Sequence, residues 1–252
     1  YSQTERVVDW MRRFGVDNLN LDLMYGLPEQ TIDGIIRKVD LAIGLMPARV
    51  ALFGYAHVPW MKTHQKMIDE ARLPNATERW NQFDAASRRL TEHGYEAIGL
   101  DHFAHPDDDL AVAQREGRLR RNFQGYTTDS ANALIGLGAS AIGALPDLYV
   151  QNHVPLRTYS DHVRAQTLPI ARGFALGVDD RLRASVIERL MCNLSADIGE
   201  LCQQQGQTEG ALDEEIASLS RFVADGVCEV EDRTVRLTDV GRPLVRLVAA
   251  AF

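Results

Sequence analysis

Asn18-Leu-Asn-Leu-Asp-Leu-Met-Tyr-Gly-Leu-Pro28 is the stretch that decides the fold of this chain. Its polar and apolar residues alternate, which predicts a strand, and Gly26-Leu-Pro28 predicts the loop that ends the strand. Apolar residues then recur at helical spacing from Ile32 to Leu45, and Arg49 to Tyr55 has the pattern of a second strand. A strand, a helix and a strand in this order predict a β-α-β unit with parallel strands.

The alternation of helices and strands continues on the C-terminal side of this unit. A polar segment from Lys62 to Asn75 leads to a predicted helix that ends at His93. Tyr95 to Asp101 predicts a third strand, and Ala133 to Leu145 predicts a fourth. Because parallel sheets bind ligands beyond the C-terminal ends of their strands, we expect the functional site at that edge.

The last third of the chain has a different character. A helix and a second helix are followed by an alternating hairpin that turns at Asp232, and a final helix begins at Val240. This order resembles a winged-helix arrangement, which commonly binds nucleic acid. Here the segment carries more acidic than basic residues and has no basic recognition helix, so we interpret it as a lid or packing domain. The two predicted helices and the hairpin span Asp180 to Gln203, Glu209 to Ala224 and Val227 to Thr238.

Composition and charge narrow the class of protein. The chain has 252 residues, of which 45% are hydrophobic and 25% charged, as in a globular protein. A formal net charge of −8 gives no footprint for nucleic acid or an anionic membrane, since phosphate binding needs clustered Lys and Arg. No apolar run approaches the roughly 20 residues of a membrane span, and no secretory signal is visible. Three scattered cysteines fit a reducing compartment, so we expect a cytoplasmic protein.

The stretch Arg121-Asn-Phe-Gln-Gly-Tyr-Thr-Thr128 and the glycine-rich stretch Leu134 to Ile142 together predict a ligand cradle. Glycines allow a ligand to approach the backbone closely, and the side chains of Gln124, Tyr126, Thr127 and Thr128 offer donors and acceptors. An ordinary turn followed by a buried strand is the alternative. Four arginines close to this stretch could bind carboxylates or phosphates, although a solvated helix face would also explain them: Arg115, Arg118, Arg120 and Arg121.

Two further residues are candidates for the site. Asp22 lies on a predicted inner strand among apolar neighbours, and a buried carboxylate is costly unless it is paired, so we predict that it contacts a ligand. His57 follows the second strand and is either a donor of the site or a structural histidine.

The stretch His102-Phe-Ala-His105 is followed by three aspartates, Asp107 to Asp109. A metal site is one reading of this cluster, because histidine and carboxylate ligands suit zinc or iron. The reading that we favour places His102 or Asp101 at the ligand site and uses Asp107 to Asp109 to cap the next helix.

Several of these stretches resemble the oxygen-independent coproporphyrinogen III oxidases, and the resemblance spans nearly the whole chain. The similar stretches are Asn20 to Thr31, Tyr55 to His57, Gly99 to Ala104, Asp107 to Gly117, and Arg121 to Thr128, with Cys192-Asn193 in the C-terminal region. Arg121 to Thr128 is the most specific, because the related haem chaperones differ there.

The resemblance implies a radical S-adenosylmethionine enzyme. In such an enzyme a [4Fe-4S] cluster cleaves S-adenosylmethionine, and the resulting radical takes hydrogen from two propionates of coproporphyrinogen III, which lose carbon dioxide and become the vinyl groups of protoporphyrinogen IX. The resemblance places residues 1–150 in the C-terminal part of a partial (β/α) barrel and residues 151–252 in a helical, winged-helix-like lid domain. It assigns S-adenosylmethionine contacts to Asp22, Ala56, Gln124 and Ile142.

Further expectations follow from the resemblance. Coproporphyrinogen III and an electron donor would be the partners, and the full-length protein would be a monomer. Substrate-binding residues would include Arg118, Arg121, His57 and His102. The chain departs from the family because it has no Cys-x-x-x-Cys-x-x-Cys loop, and its own cysteines (Cys192, Cys202 and Cys228) cannot substitute for that loop. We therefore expect the cluster ligands upstream of Tyr1 and an isolated chain that is inactive.

A porphyrin-binding module is the alternative function. A haem chaperone, or a truncated product kept for binding without turnover, would need an axial ligand for the iron. His57, His102 and His105 are the candidates.

Overall fold

A computed structural model describes every residue of the chain, from Tyr1 to Phe252. The chain divides into two compact units, Tyr1–Arg118 and Leu119–Phe252. Both units mix helices and strands, as the expected α/β class requires. No helix combines the length and the apolar character that crossing a lipid bilayer would need.

The first unit contains the predicted β-α-β unit, flanked by further helices and by a hairpin. Two short 3₁₀ turns, Thr63–Met67 and Glu70–Arg72, interrupt the polar segment after the second strand. The helices and strands of this unit are α1 (Ser2–Arg13), β1 (Asn20–Tyr25), α2 (Ile32–Ile43), β2 (Arg49–Gly54), α3 (Ala76–Glu92), β3 (Glu96–Ile98), β4 (His102–Ala104) and α4 (Asp109–Arg115).

The four strands of the first unit form one sheet in the order β1-β2-β4-β3. β1 and β2 are parallel and in register from Asn20↔Arg49 to Tyr25↔Gly54, as the sequence predicts. The predicted third parallel strand is wrong. Gly99, with φ +52°, begins a turn that reverses the chain, so that β4 returns antiparallel to both β3 and β2.

Helices α2 and α3 cover one face of this sheet. The core there is formed by apolar side chains from both helices and from the strands, and its fully buried members include Ile35, Val39, Val50, Leu52 and Leu90. Helix α3 begins with a capping box, in which the side chains of Asn75 and Glu78 each bind the other residue's backbone N–H. The cap fixes where α3 starts, and therefore where its side chains meet the loops of the sheet.

The second unit contains three small sheets and the C-terminal helices. Its elements are β5 (Arg120–Asn122), β6 (Gly125–Thr127), β7 (Ile142–Leu145), β8 (Leu148–Asn152), α5 (Leu156–Arg164), β9 (Ile170–Ala175), α6 (Val178–Asn193), β10 (Ser195–Asp197), α7 (Ile198–Gln204), α8 (Asp213–Ser218), α9 (Ser220–Ala224), β11 (Cys228–Glu231), β12 (Thr234–Leu237) and α10 (Val245–Ala249), with a 3₁₀ turn at Arg242–Leu244. Its sheets are the hairpin β5-β6, the antiparallel sheet β7-β8-β9 and the sheet β10-β12-β11.

Two expectations for this region differ from the structure. Residues 133–145 form no strand of the first sheet, because only Ile142–Leu145 is a strand and it pairs antiparallel with β8. The predicted helix from residue 180 to 203 is broken at Leu194, whose φ of +57° ends α6. The predicted domain boundary at residue 150 falls inside β8, and the assignment of domains stays a prediction.

The predicted C-terminal hairpin is confirmed. β11 and β12 are antiparallel, and Glu231 pairs with Thr234 across a two-residue turn. The turn residues Asp232 and Arg233 have φ of +46° and +69°, the left-handed conformation that a tight hairpin turn uses.

Candidate functional site

The loops that follow β1 and β2 lie side by side. The two strands end together at the pair Tyr25↔Gly54, and Tyr55 N–H donates to the Tyr25 carbonyl oxygen at 2.8 Å. Gly26, with φ +81°, turns the first loop, and Ala56 lies in the second. The sequence therefore located this edge of the sheet correctly.

Helix α3 holds both of these loops. Arg79 Nη1 donates to the Tyr55 carbonyl oxygen at 2.8 Å, and its guanidinium lies 5.9 Å from the centre of the Tyr25 ring. The buried side chain of Gln82 accepts from Gly26 N–H at 2.8 Å and donates to the Gln30 carbonyl oxygen at 2.6 Å. Neither residue was predicted from the sequence, since polar side chains on a helix ordinarily face solvent.

Gln65 organises the loop that carries Ala56. Its Nε2 donates to the Ala56 carbonyl oxygen at 3.0 Å, and its Oε1 accepts from Val58 N–H at 2.6 Å. The side chain is buried, which is uncommon for glutamine and is offset here by both hydrogen bonds. Gln65 lies in the polar segment between β2 and α3, where nothing in the local pattern signals its role.

Asp22 is exposed, contrary to the prediction that it is buried. Strand β1 alternates strictly, with Leu21, Leu23 and Tyr25 directed to the helices and Asp22 on the opposite face. Asp22 Oδ1 accepts a hydrogen bond from Asn20 Nδ2 at 2.7 Å. Its carboxylate therefore needs no buried partner.

The face that carries Asp22 is exposed in part, and other candidate groups share it. Asp22 pairs with Ala51 of β2, and Ala51 pairs with His102 of β4, so the three side chains stand on one face. Met24 and Phe53 on this face remain 41% and 36% exposed, which is unusual for apolar side chains on a sheet. A partly exposed face that combines a carboxylate, an imidazole and apolar side chains is suited to binding a mixed polar and apolar ligand.

Both ring nitrogens of His57 already have partners. Nδ1 lies 3.3 Å from the Tyr55 hydroxyl and Nε2 lies 3.2 Å from Glu70 Oε1. His102 Nδ1 lies 2.8 Å from Asp101 Oδ1, and the His102 ring meets the Phe53 ring edge to face. Asp101 belongs to the turn between β3 and β4 rather than to the end of a parallel strand, so the predicted reason for its position was wrong.

The aspartates after His105 are structural. Asp108 Oδ1 accepts from Leu110 N–H at 2.8 Å and caps α4, while its two oxygens accept from Arg49 Nε at 2.9 and 2.8 Å. The capping reading is therefore confirmed for Asp108. No group of three or more His, Cys, Asp or Glu side chains is arranged to hold a metal ion.

In the second unit, the stretch from residue 121 to 128 forms the hairpin β5-β6. Phe123 and Gln124 are its exposed turn, and Gln124 N–H donates to Asn122 Oδ1 at 2.8 Å. Phe123 meets the Tyr149 ring edge to face at 5.2 Å. The Tyr126 hydroxyl donates to the Met191 carbonyl oxygen at 3.0 Å, which attaches the hairpin to α6. The side chain of Gln124 therefore stays available for a ligand.

The glycine-rich stretch is shaped by contacts within the unit. A Cβ on Gly136 would lie 2.8 Å from backbone atoms of Ile142, so only glycine fits there. Asn152 Nδ2 donates to the carbonyl oxygens of Gly136 and Gly138 at 3.0 Å each. Ile142, half-buried, begins β7 where these contacts meet.

Three of the four candidate arginines are committed to carboxylates. Arg115 pairs with Glu96, Arg118 with Glu116, and Arg120 with Glu188. The fourth, Arg121, has no carboxylate partner. Its guanidinium lies 5.5 Å from the centre of the Tyr126 ring, and its Nε is buried without a hydrogen-bond partner.

The three cysteines do not fit an iron–sulfur cluster. Each is a buried free thiol, and they lie apart in α6, α7 and β11. Burial, with a contribution from Glu188, raises the pKa of Cys192 to about 12, and burial also raises the pKa of Cys202 and Cys228. Since a cluster ligand must be a thiolate, these sites oppose the required ionisation.

Known proteins are similar in sequence to this chain along its whole length. The oxygen-independent coproporphyrinogen III oxidase of Bradyrhizobium diazoefficiens is 47% identical over all of this chain and 56% of its own length. That of Thermostichus vulcanus is 39% identical over 98% of this chain and 77% of its own length. No family sequence profile matches the chain.

A solved structure shows the same fold. The coproporphyrinogen III oxidase of Escherichia coli, described as a radical SAM enzyme, matches 98% of this chain with a TM-score of 0.92 and 37% identity. The match covers 57% of that protein, and the chain spans little more than half the length of most of these relatives. Fold and sequence thus define a relative of radical SAM enzymes. The chain belongs to the oxygen-independent coproporphyrinogen III oxidase family.

Proposed function

We propose that this chain contributes to the oxygen-independent oxidative decarboxylation of coproporphyrinogen III to protoporphyrinogen IX. The observation that carries the proposal is the match to the Escherichia coli enzyme, at 37% identity and a TM-score of 0.92 across 98% of the chain. In this proposal residues 1–150 are part of a partial (β/α) barrel, and residues 151–252 are a helical, winged-helix-like lid domain. The full-length protein works as a cytoplasmic monomer that receives electrons from a donor.

The donor set of the first unit fits S-adenosylmethionine. The exposed carboxylate of Asp22 can accept hydrogen bonds from ribose hydroxyls or an amino group, and the loop at Ala56 offers backbone groups held in place by Gln65. When bound, S-adenosylmethionine supplies the radical that removes hydrogen from the substrate. In the second unit, Gln124 and Ile142 are the further proposed cofactor contacts, one polar and one apolar.

The residues of this chain do not fit the iron–sulfur cluster, because its three thiols are buried, separated and hard to ionise. The proposed cluster ligands are a Cys-x-x-x-Cys-x-x-Cys loop encoded upstream of Tyr1. The 252-residue chain alone is then inactive, and its part is to bind and orient the cofactor and the substrate.

The haem-binding alternative loses one of its three candidate axial ligands, because both ring nitrogens of His57 have partners, the Tyr55 hydroxyl at 3.3 Å and Glu70 Oε1 at 3.2 Å. His102 and His105 remain the candidates, since a carboxylate at Nδ1, as Asp101 is for His102, is compatible with iron ligation through Nε2. Haem titration of the chain provides the check, and tight binding with a histidine-ligated spectrum would revive the alternative.

The deciding experiment compares two proteins under anaerobic reconstitution with iron, sulfide and S-adenosylmethionine. One is encoded by the gene with its upstream coding region, and the other is the 252-residue chain. We expect the first to convert coproporphyrinogen III to protoporphyrinogen IX with release of carbon dioxide, and the second to bind no cluster. Cluster binding by the shorter protein would contradict its proposed inactivity, and no decarboxylation by the longer one would contradict the function.

A further inference from the structure

The second unit contains a large cleft, which we call the Arg121 cleft. It lies between the hairpin β5-β6, strands β7 to β9 and helix α6, and its volume is about 1010 Å³. Aromatic side chains form much of its wall: Phe123, Tyr149, Phe174 and Phe252. Ligand sites in proteins are typically about 300–1,000 Å³ and mostly apolar with a few polar groups, so this cleft has the size of a large ligand site.

Four arginines line the cleft, and three of them are neutralised. Arg120 is held by Glu188 at 3.0 Å and Arg181 by Asp147 at 2.9 Å. Arg183 is held by both Asp179 and Glu215 at 2.7 Å. These arginines have little capacity left for a ligand.

Arg121 is the exception in this cleft. Its guanidinium has only the ring of Tyr126 as a neighbouring partner, and its Nε is buried and unsatisfied. A charged guanidinium without a carboxylate partner is costly to hold in a partly buried position, so a ligand carboxylate that pairs with its amino groups would offset that cost. Glu188 accepts from the backbone N–H of Arg121 at 3.4 Å and directs its carboxylate to Arg120.

We infer that the Arg121 cleft binds a carboxylate-bearing edge of a tetrapyrrole, with Arg121 accepting one propionate and the aromatic wall packing against a pyrrole ring. A guanidinium can bind a carboxylate through two parallel hydrogen bonds, and apolar walls strengthen such a pair by excluding water. The identification of the ligand as the substrate rests on the proposed function. One free arginine fits one propionate of the four, so other groups must receive the rest.

The test measures binding of two porphyrins to the full-length protein without S-adenosylmethionine. Coproporphyrin III carries the four propionates in a stable, unreactive ring, and its tetramethyl ester carries none. We expect Arg121→Met to weaken binding of the acid by about tenfold or more, since the charge-assisted pair with the propionate is lost. Arg121→Lys keeps the positive charge but not the two parallel hydrogen bonds of a guanidinium, so it should weaken binding of the acid less than Arg121→Met does. The ester should bind equally to the wild type and to both variants.

Controls separate recognition from damage to the fold. Arg164→Met removes an exposed arginine of the same unit and should leave both affinities unchanged. The inference is wrong if Arg121→Met leaves the affinity for the acid unchanged, or if it weakens acid and ester equally. Should Arg121→Met lose its cooperative melt, Arg121→Lys and the wild-type preference for acid over ester decide instead, and equal affinities would overturn the inference.

The kinetics of the full-length enzyme distinguish a failure of this inference from a failure of the proposed function. In the full-length enzyme, Arg121→Met should raise the KM for coproporphyrinogen III more than it lowers kcat, because its contact is with a carboxylate of the bound substrate. An unchanged KM in an active enzyme overturns the inference alone. An inactive wild type overturns the function, while the two titrations still decide what the cleft binds.

Discussion

The buried side chain of Gln65 holds the carbonyl oxygen of Ala56 by a hydrogen bond of 3.0 Å. The same amide accepts from Val58 N–H, so one side chain fixes both ends of a three-residue loop at the edge of the sheet. In the proposed function this loop contacts S-adenosylmethionine. Its shape is set before the cofactor arrives, which reduces the entropy that binding must overcome.

Replacing Gln65 should therefore loosen this loop. In Gln65→Ala we expect faster amide hydrogen exchange at Val58 and, in the full-length protein, weaker binding of S-adenosylmethionine. Exchange measured by mass spectrometry or NMR tests the first effect in the chain itself. Lys66→Ala, which removes the exposed neighbour, serves as the control, and equal exchange in both variants would show that Gln65 does not hold the loop.

Asp108 should contribute to stability in two separable ways. Asp108→Ala loses the cap of α4 and the paired charge of Arg49, and we expect a loss of about 2–3 kcal/mol after allowance for the partly exposed arginine. Asp108→Asn keeps the cap and should lose less. Urea unfolding measures both, and Asp107→Ala, which alters a 96% exposed side chain, should change stability by no more than about 0.5 kcal/mol. Equal effects at the two positions would contradict the assignment.

Cys192 should make the protein less stable in alkali. Between pH 9 and about 12 the unfolded chain loses this thiol proton while the folded chain keeps it, because burial raises the folded pKa. The unfolded state then binds fewer protons, so the contribution to stability is complete below pH 9 and falls as pH rises, by at most about 1.4 kcal/mol per pH unit.

Urea unfolding across that pH range tests this prediction in Cys192→Ala. We expect a shallower decline of stability with pH than in the wild type. Leu190→Ala, a buried neighbour without a titratable group, should lower stability by an amount that does not depend on pH. An identical pH slope in Cys192→Ala and the wild type would remove the thiol as the cause.

The turn of the C-terminal hairpin should prefer glycine at position 233. Arg233 has φ +69°, and its side chain binds Asp213 and Glu209, so Arg233→Gly and Arg233→Ala lose the same ion pairs. Only glycine adopts this φ without strain, so the glycine variant should be about 1 kcal/mol more stable than the alanine variant in urea unfolding.

A helical arginine provides the opposite control. At Arg88, an exposed residue within α3, glycine should be about 1 kcal/mol less stable than alanine, because glycine is a poor helix former. The same sign at both positions would show that the left-handed turn does not set the preference.

Local pattern predicted much of the fold. The β-α-β unit and the C-terminal hairpin follow from residue alternation and from short turn signals, both of which are local. The reversal at Gly99 could not be predicted in this way, because Glu96–Ile98 and His102–Ala104 together have the pattern of one longer strand. The break at Leu194 was hidden for the same reason, since leucine ordinarily continues a helix.

The candidate site was predicted in part. The edge of the sheet after β1 and β2 was located correctly, but the burial expected of Asp22 was wrong, although its alternation with Leu21 and Leu23 already indicates a side chain opposite the helices. The predicted ligand contact of Asp22 stays a prediction. Gln65 and Arg79 act through contacts over 9 and 24 positions of sequence, which no local pattern records. That Arg121 has no carboxylate partner, whereas the neighbouring arginines do, could be seen only in the folded structure.

One consequence concerns the anchoring of both sheet-edge loops to α3. Arg79 and Gln82 lie about one turn apart on α3. Arg79 holds the loop after β2, and Gln82 holds the loop after β1. Because both loops are hydrogen-bonded to the same helix, a displacement of α3 would move them in the same direction. The spacing between the two loops is thus set by the distance between two side chains of one helix.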